Sequence, residues 1–402
     1  MRRVKSVGMP KEYPVGDVVE GTDISSHKVL QFPNPDADKR RLPCIIMAGF
    51  DEQNTRMITA VDGQEYVKQE VPIDGKPLLR YVIGAALAAR RVSQVYIVGN
   101  TQSIESIIAN SKYLTANRNR LLSIKQVVNR GGQRGNLFDN FRVAIDEEVY
   151  SYNEARIAQG AALDDRVLIL TSDTCFLTAP SIDKFVDGAS QADVVMGATD
   201  GRAYQDMLDE LNINIDGAKT KTAMFPIGLN LVRPNNLFLV RYRKMTPEIY
   251  QLFQNVYDAR HVVDFSGGLK LGKIRKLLRE ENKIIQQYGE SIGKAGTVRR
   301  GRLNEYWTLA MFCLSYLIRR RNTRRILPIP NIPRMLLRKR DMEFTVSSLL
   351  GGNVSTELHV MDDVGPMLDI DVQEMYNVLA ADEFRQFKRI RDYLAKGNDF
   401  VA

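Results

Sequence analysis

Short apolar runs separated by helix-length stretches constrain this chain more than any other feature. Cys44–Met47, Val95–Val98 and Val167–Leu170 carry no charged or amide residue on either face, and Ile124–Val128, which holds Lys125 and Gln126, continues the series. A strand sends successive side chains to opposite faces, so a run without polar alternation belongs inside a sheet covered on both sides. Between the first two runs, residues 77–91 open with Pro77 and place Leu78, Leu79, Val82, Ile83, Ala86 and Leu87 on one helical stripe. This strand–helix rhythm predicts an α/β fold with a doubly wound, mostly parallel sheet. Further strands are expected at Asp193–Ala198, Phe225–Pro234 and Val354–Met361, with the rhythm lost after Asn236 and a long helix near the C-terminus.

In such sheets ligands collect at the carboxyl ends of the strands. Four loops are expected there: Ala48-Gly49, Gly99-Asn100, Gly131–Asn136 within RGGQRGN, and Thr171-Ser172-Asp173. After the first of them a polar stretch holding Arg56 leads to Lys68 and then to VPIDGKPLL. Strand-end N–H groups beside an Arg and a Lys suit a polyanion such as a triphosphate tail, which needs both hydrogen-bond donors and neutralising charge. Asp173, directly after a buried run, is placed to ligate Mg²⁺ or to cap the turn before the next helix. The same two roles are open to Asp369 and Asp371 ahead of the terminal helix, and alternation along an extended chain lets only one of that pair face a given ligand.

The run VKQEVPIDGKPLL, with Ala48-Gly49 after a strand and Arg56 between, resembles the opening signature of the nucleotidyltransferases that activate sugar phosphates. It is similar also to the related molybdenum-cofactor guanylyltransferase-like proteins. The family pattern reads AGGxGxR or GGxGTR, then Lys, then GKP; here Phe50 replaces a glycine and Asp51–Thr55 replace the glycine-rich remainder. RVLILTSDTCFLTAPSIDKFVD resembles the passage around the family's metal-binding Asp. DIDVQEMYNVL resembles its late motif DxDTPEDL, with Val372-Gln373 for Thr-Pro and Met375 for the second acid. The resemblance covers 42–235 and 354–380.

It implies a nucleotide-diphospho-sugar transferase-like fold of the glycosyltransferase A type and a Mg²⁺-dependent reaction. A nucleoside monophosphate would pass from a nucleoside triphosphate to a phosphorylated sugar or alcohol acceptor, with release of pyrophosphate. Lys68 and Arg56 would stabilise the charge that develops. Ala48, Gly49, Asn100, Gly131, Gly132 and Asn136 would hold the nucleotide, and Asn230 would line the acceptor side. Asp173 and Asp371, with Asp369 as the alternative to the latter, would hold the metal. A nucleotide-sugar-dependent glycosyltransferase and a noncatalytic nucleotide- or partner-binding relative are the rival readings, the second favoured by the altered loop after Gly49.

Charge divides the chain. Lys270–Arg340 holds nineteen Lys and Arg against four Asp and Glu, whereas the whole chain is net +8, so the rest is net −7. The basicity therefore belongs to one segment, expected as a helical insertion. The expected organisation is an extension (1–41), a nucleotide-binding core (42–235), the basic insertion (236–345) and a return to the core (346–402). Within the insertion YWTLAMFCLSYLI is bracketed by arginines over 299–325, which suits either a buried helix or peripheral contact with an anionic membrane. No nucleic-acid-binding motif accompanies the charge, and none is expected. No bilayer-length apolar run and no secretory signal pattern occur, and Cys44, Cys175 and Cys313 lie far apart, so a cytoplasmic protein with free thiols is expected.

Overall fold

The computed structural model describes residues 41–49, 57–127, 137–158, 165–213, 225–227, 230–247, 249–250, 354–370 and 373–395, with a few short pieces between 263 and 347. Among these, in chain order, the strands are β1 (Leu42–Ala48), β2 (Met57–Thr59), β3 (Glu65–Val67), β4 (Pro72–Ile73), β5 (Lys76–Pro77), β6 (Val92–Gly99), β7 (Leu121–Lys125), β8 (Arg166–Thr171), β9 (Val194–Asp200), β10 (Phe225–Ile227), β11 (Asn230–Arg241), β12 (Val263–Asp264), β13 (Gly268–Leu269) and β14 (Thr356–Met361). The α-helices are α1 (Leu78–Ala88), α2 (Thr101–Ala109), α3 (Lys112–Ala116), α4 (Leu137–Val143), α5 (Tyr150–Ala158), α6 (Ala179–Gly188), α7 (Gly201–Leu211) and α8 (Gln373–Ala395).

The central sheet runs β14-β9-β11-β8-β1-β6-β7, with β10 paired to β11. Its pairings are parallel except those of β11, which lies antiparallel between β8 and β9 and antiparallel to β10. The expected doubly wound, mostly parallel sheet is present, and one antiparallel strand is built into its middle. That strand also corrects two expectations. The single strand predicted at Phe225–Pro234 is a hairpin of β10 and β11, and the rhythm continues past Asn236 to Arg241. Pro234 is accommodated because the β9–β11 register shifts between Pro234 and Phe238, and at such an irregularity a missing N–H costs no ladder bond.

The first, second and fourth apolar runs lie in strands of the sheet, whereas the strand expected at Ile124–Val128 lies at Leu121–Lys125, where Lys125 is exposed at the sheet edge. Cys44, Ile46 and Ala48 face one layer of helices, and Ile45 and Met47 face the other. The first layer contains α1, α2, α3, α6, α7 and α8; the second contains residues 141–152 of the α4–α5 region, where a π-helical turn spans Ala144–Val149. Every residue of β1 and of β6 is buried, and each fully buried Leu or Ile contributes about 1.5–3 kcal/mol. Asp183 of α6 ties the layer together: its carboxylate accepts from the backbone N–H groups of Arg90 and Arg91 at the end of α1 and from Arg90 Nε.

The terminal helix is not continuous. Asp382, Glu383 and Phe384 adopt positive φ and divide α8 into two halves. The preceding acid pair also differs from expectation, because no strand leads into it. A 3₁₀ turn, Gly365–Met367, precedes an extended Leu368. The N-terminal extension, the segment 270–338 with its 299–325 stretch, Arg56, Gly131, Gly132, Asn136 and Asp371 lie outside the described residues. No helix among those described is long and apolar enough to cross a membrane.

Candidate active site

Strands β8 and β1 end side by side, with Met47 paired to Thr171, and β6 ends beside them with Gly99 paired to Ala48. The close approach of β1 and β6 needs a residue without Cβ, since a Cβ on Gly99 would lie 2.5 Å from the Ala48 carbonyl oxygen. The loops after these strands therefore open onto one edge of the sheet, as the parallel topology requires.

Asp173 stands in the turn after β8. Lys68 Nζ donates to its Oδ2 at 2.5 Å, and the Thr171 hydroxyl donates to its Oδ1. The Lys68 and Asp173 side chains are 23% and 15% exposed, so the pair sits at the floor of an open edge rather than in the core. Asp173 does not cap the next helix. Thr178 does so, accepting from the Ser181 N–H. The structural alternative for Asp173 thus has another residue in its place.

The C-terminal segment reaches the same edge. Ile370 N–H donates to the Asp173 carbonyl oxygen at 3.2 Å, which brings Asp369 and Asp173 onto adjoining stretches of backbone. Arg233, on β11, donates to Asp369 Oδ1 at 2.6 Å. Two carboxylates 196 residues apart in sequence, Asp173 and Asp369, are thus each held by a cation, and both remain partly exposed.

Lys68 is positioned by the short 3₁₀ turn Lys68–Glu70. Gln69, buried, donates from Nε2 to the Ala48 carbonyl oxygen, and Glu70 accepts from the Ser103 hydroxyl at 2.6 Å. Ahead of that turn, the β2–β3 hairpin is fixed to the terminal helix. The Gln373 carboxamide accepts from Thr59 N–H at 2.7 Å and donates to Thr59 O at 2.9 Å, and the Tyr376 hydroxyl accepts from Val61 N–H at 3.3 Å. After it, Asp74 and Gly75 take φ of 48° and 74° in the tight hairpin joining β4 and β5. IDGK is therefore a two-residue turn of the Asp-Gly type that leads Pro77 into α1.

Other expected site residues take different places. Gly49 follows β1 and is flanked by two buried amides: a Cβ there would lie 3.3 Å from Asn140 Nδ2 and 3.8 Å from Gln126 Oε1. Asn140 also accepts from Val127 N–H at 2.7 Å, closing the far side of this edge. Asn100 is the N-cap of α2, its Oδ1 accepting from Gln102 and Ser103 N–H, which gives that oxygen a structural task. Asn230 begins β11 at the β10–β11 hairpin. Arg233, Gln69, Gln126, Asn140 and Gln373 were not expected. Gln69, Gln126 and Asn140 are buried, whereas Arg233 and Gln373 are partly exposed and meet Asp369 and Thr59, partners far away in sequence.

The oxygen-only donor set suits a hard cation. Among the described residues no group of three or more His, Cys, Asp or Glu forms a protein metal cage. Mg²⁺ is usually bound by one or two carboxylates together with substrate phosphates and water, so Asp173 and Asp369 with the nearby Thr171 hydroxyl fit it. The neighbouring Cys175 does not compete, since complete burial pushes its thiol pKa well up.

No curated protein sequence matches the chain. A hypothetical transferase from Thermus thermophilus aligns at 17% identity over 84% of this chain and 99% of its own, with a TM-score of 0.50, a likeness of fold. A CMP:2-keto-3-deoxy-manno-octonic acid synthetase complexed with CTP aligns at 12% identity over 55% of this chain and 84% of its own, TM-score 0.30. A 4-diphosphocytidyl-2C-methyl-D-erythritol synthase from Anaerococcus prevotii aligns at 11% identity over 56% and 79%, TM-score 0.32. The family described as the MobA-like NTP transferase domain matches residues 44–267, more than half of the chain, so this protein belongs to that family and is a nucleotidyltransferase.

Proposed function

We propose that the protein transfers a nucleoside monophosphate from a nucleoside triphosphate to a phosphorylated small-molecule acceptor, a sugar or alcohol phosphate, and releases pyrophosphate. The observation that carries this reading is the meeting of Lys68, Asp173 and Asp369 at the carboxyl edge of β8 and β1. An acceptor phosphate oxygen forms a bond to the α-phosphorus while the bond from that phosphorus to the β-phosphate bridging oxygen breaks, and the electron pair leaves with pyrophosphate. Negative charge builds on the leaving group, and a preorganised cation that meets it lowers the barrier.

Lys68 takes that role. Its ammonium has three donors, so it can hold Asp173 while offering a hydrogen bond to a phosphate oxygen. Arg56 is proposed to assist it. Asp173 and Asp369, with Asp371 as a further candidate, would hold Mg²⁺, which supplies neutralising charge to the phosphates when bound. The backbone around Ala48 and Gly49 is proposed to meet the phosphates, and the Gly131, Gly132 and Asn136 loop is proposed to meet the nucleoside. Asn230, at the start of β11, is proposed to meet the acceptor.

Pyrophosphate release tests this reading directly. The four ribonucleoside triphosphates, each with Mg²⁺ and a panel of sugar and alcohol phosphates, should show release with at least one pair, and Asp173→Asn should abolish it. Equal rates for wild type and Asp173→Asn across the whole panel would overturn it.

A further inference from the structure

Lys68 is fixed from two directions. Its ammonium meets Asp173, while its backbone belongs to a 3₁₀ turn of three residues, Lys68–Glu70, that has no side-chain cap. A turn this short makes too few hydrogen bonds of its own to set its position, so anchors from elsewhere in the fold must set it. Gln69 supplies a weak one, its Nε2 reaching the Ala48 carbonyl oxygen at 3.4 Å, near the outer limit for a hydrogen bond. Ser103 supplies a strong one. Its hydroxyl donates to Glu70 Oε1 at 2.6 Å, the short distance of a charge-assisted bond, which is roughly twice as strong as a bond between neutral groups. Glu70 and Ser103 are both partly buried, so water competes with the contact only in part.

The way Ser103 is presented adds an independent observation. It is the third residue of α2, the position from which a Glu or Gln commonly turns back to bond the backbone N–H of the N-cap. Ser103 instead sends its hydroxyl out of the helix to a residue 33 positions earlier in the chain. Its backbone is held by Asn100, whose Oδ1 accepts from Gln102 N–H at 3.1 Å and from Ser103 N–H at 3.3 Å. Asn100 directly follows Gly99, the residue that lets β6 close on Ala48. A continuous path therefore runs from the end of β6 through Asn100, Ser103 and Glu70 to Lys68.

We propose that Ser103 is a positioning residue for nucleotidyl transfer: through Glu70 it aims Lys68 at the departing pyrophosphate. The proposal rests on the role given to Lys68 above. Asp173 fixes the tip of the Lys68 side chain and Ser103 fixes its root, and a shift of about 1 Å in a preorganised group can cost on the order of 10²-fold in rate. Asn100 acts in the same path, by capping the turn that carries Ser103. Because the leaving-group charge develops in the transition state, loosening the root should lower kcat and leave the KM for the nucleoside triphosphate unchanged.

Two measurements on the full chain test this. In pyrophosphate release, with the nucleotide and acceptor pair on which wild type is active, Ser103→Ala should lower kcat by about tenfold with no change in the KM for the triphosphate. Ser103→Thr, which keeps the hydroxyl donor, should restore kcat to within about threefold of wild type. In amide exchange without ligand, Ser103→Ala should accelerate residues 68–71 by about tenfold and leave β1 and β8 unchanged. An unchanged kcat, a loss that appears in KM, or a Ser103→Thr variant as slow as Ser103→Ala would each overturn the proposal. Silence of wild type across the whole acceptor panel would overturn the proposed function instead, and exchange then decides the positioning of Lys68 alone: acceleration over 68–71 supports it, and unchanged exchange there overturns it.

Discussion

Lys68 Nζ and Asp173 Oδ2 lie 2.5 Å apart across 105 residues of sequence, and this contact joins the two halves of the proposed chemistry. The residues act as a unit, so their effects should not add. Lys68→Ala should lower the rate of pyrophosphate release by about 10²–10³-fold, the usual cost of removing a preorganised charge donor. Asp173→Asn should lower it further, and the double variant should be little worse than Asp173→Asn alone. A double-mutant cycle on the release rate checks this, with far-ultraviolet circular dichroism to confirm that each variant is folded.

Gln373 holds the hairpin that leads to Lys68 through a paired carboxamide–peptide contact with Thr59. Gln373→Leu removes both hydrogen bonds and leaves an apolar side chain of similar length. In this exposed setting the cost should stay near 1 kcal/mol and fall on the local opening of the hairpin rather than on global unfolding. The sharper effect is local: amide exchange over 57–67 should accelerate by about tenfold, while that of β1 and β8 stays unchanged. Uniform acceleration across all strands would show that the contact serves global stability rather than this hairpin.

The parts of the fold that announced themselves were those whose physics is local. β1, β6 and β8 are buried on both faces, so their sequences had no polar alternation to confuse the reading. β11 was half hidden because Pro234, Asn235 and Asn236 read as a break, whereas buried Asn235 accepts from Leu237 N–H and the strand continues through a register shift. The Asp-Gly pair at 74–75 is a legible two-residue hairpin turn that lies inside the phrase VPIDGKPLL. At the site, Lys68 and Asp173 could be named from short phrases. Their pairing could not, nor could the capture of Asp369 by Arg233, because these contacts span 105 and 136 residues and arise only when the sheet closes.

Gly99 tests how tightly the strand ends at the site are set. A Cβ there would lie 2.5 Å from the Ala48 carbonyl oxygen, a backbone atom that cannot rotate away. Gly99→Ala must therefore push β6 from β1 at the register pair Ala48–Gly99, and overpacking of this kind costs about 1–3 kcal/mol. Chemical denaturation should show that loss. Pyrophosphate release should fall as well, since Ala48 and Gly49 move with the strand end. Unchanged stability would mean that the two strands can separate freely at this point.

Asp200 links stability to pH in a direction that can be worked out. Its carboxylate caps α7 by accepting from Arg202 N–H at 2.9 Å and pairs with the Arg202 guanidinium. The side-chain hydrogen bond from Arg202 holds its pKa below the ordinary value of 3.8; partial burial opposes this, and the Arg202 backbone N–H adds to it. A carboxylate with a depressed folded-state pKa stabilises the fold fully above its unfolded pKa and loses that contribution as pH falls through the folded value. At pH 7, Asp200→Ala should cost about 1 kcal/mol, the usual penalty for removing an N-cap. The gap between wild type and variant should hold from neutrality down to about pH 5 and shrink only at more acid pH, below the ordinary carboxylate range. Urea denaturation of both proteins at a series of pH values reads the gap directly. A difference that disappears between pH 7 and 5 would mean that some other group, and not the Asp200 carboxylate, stabilises the start of α7.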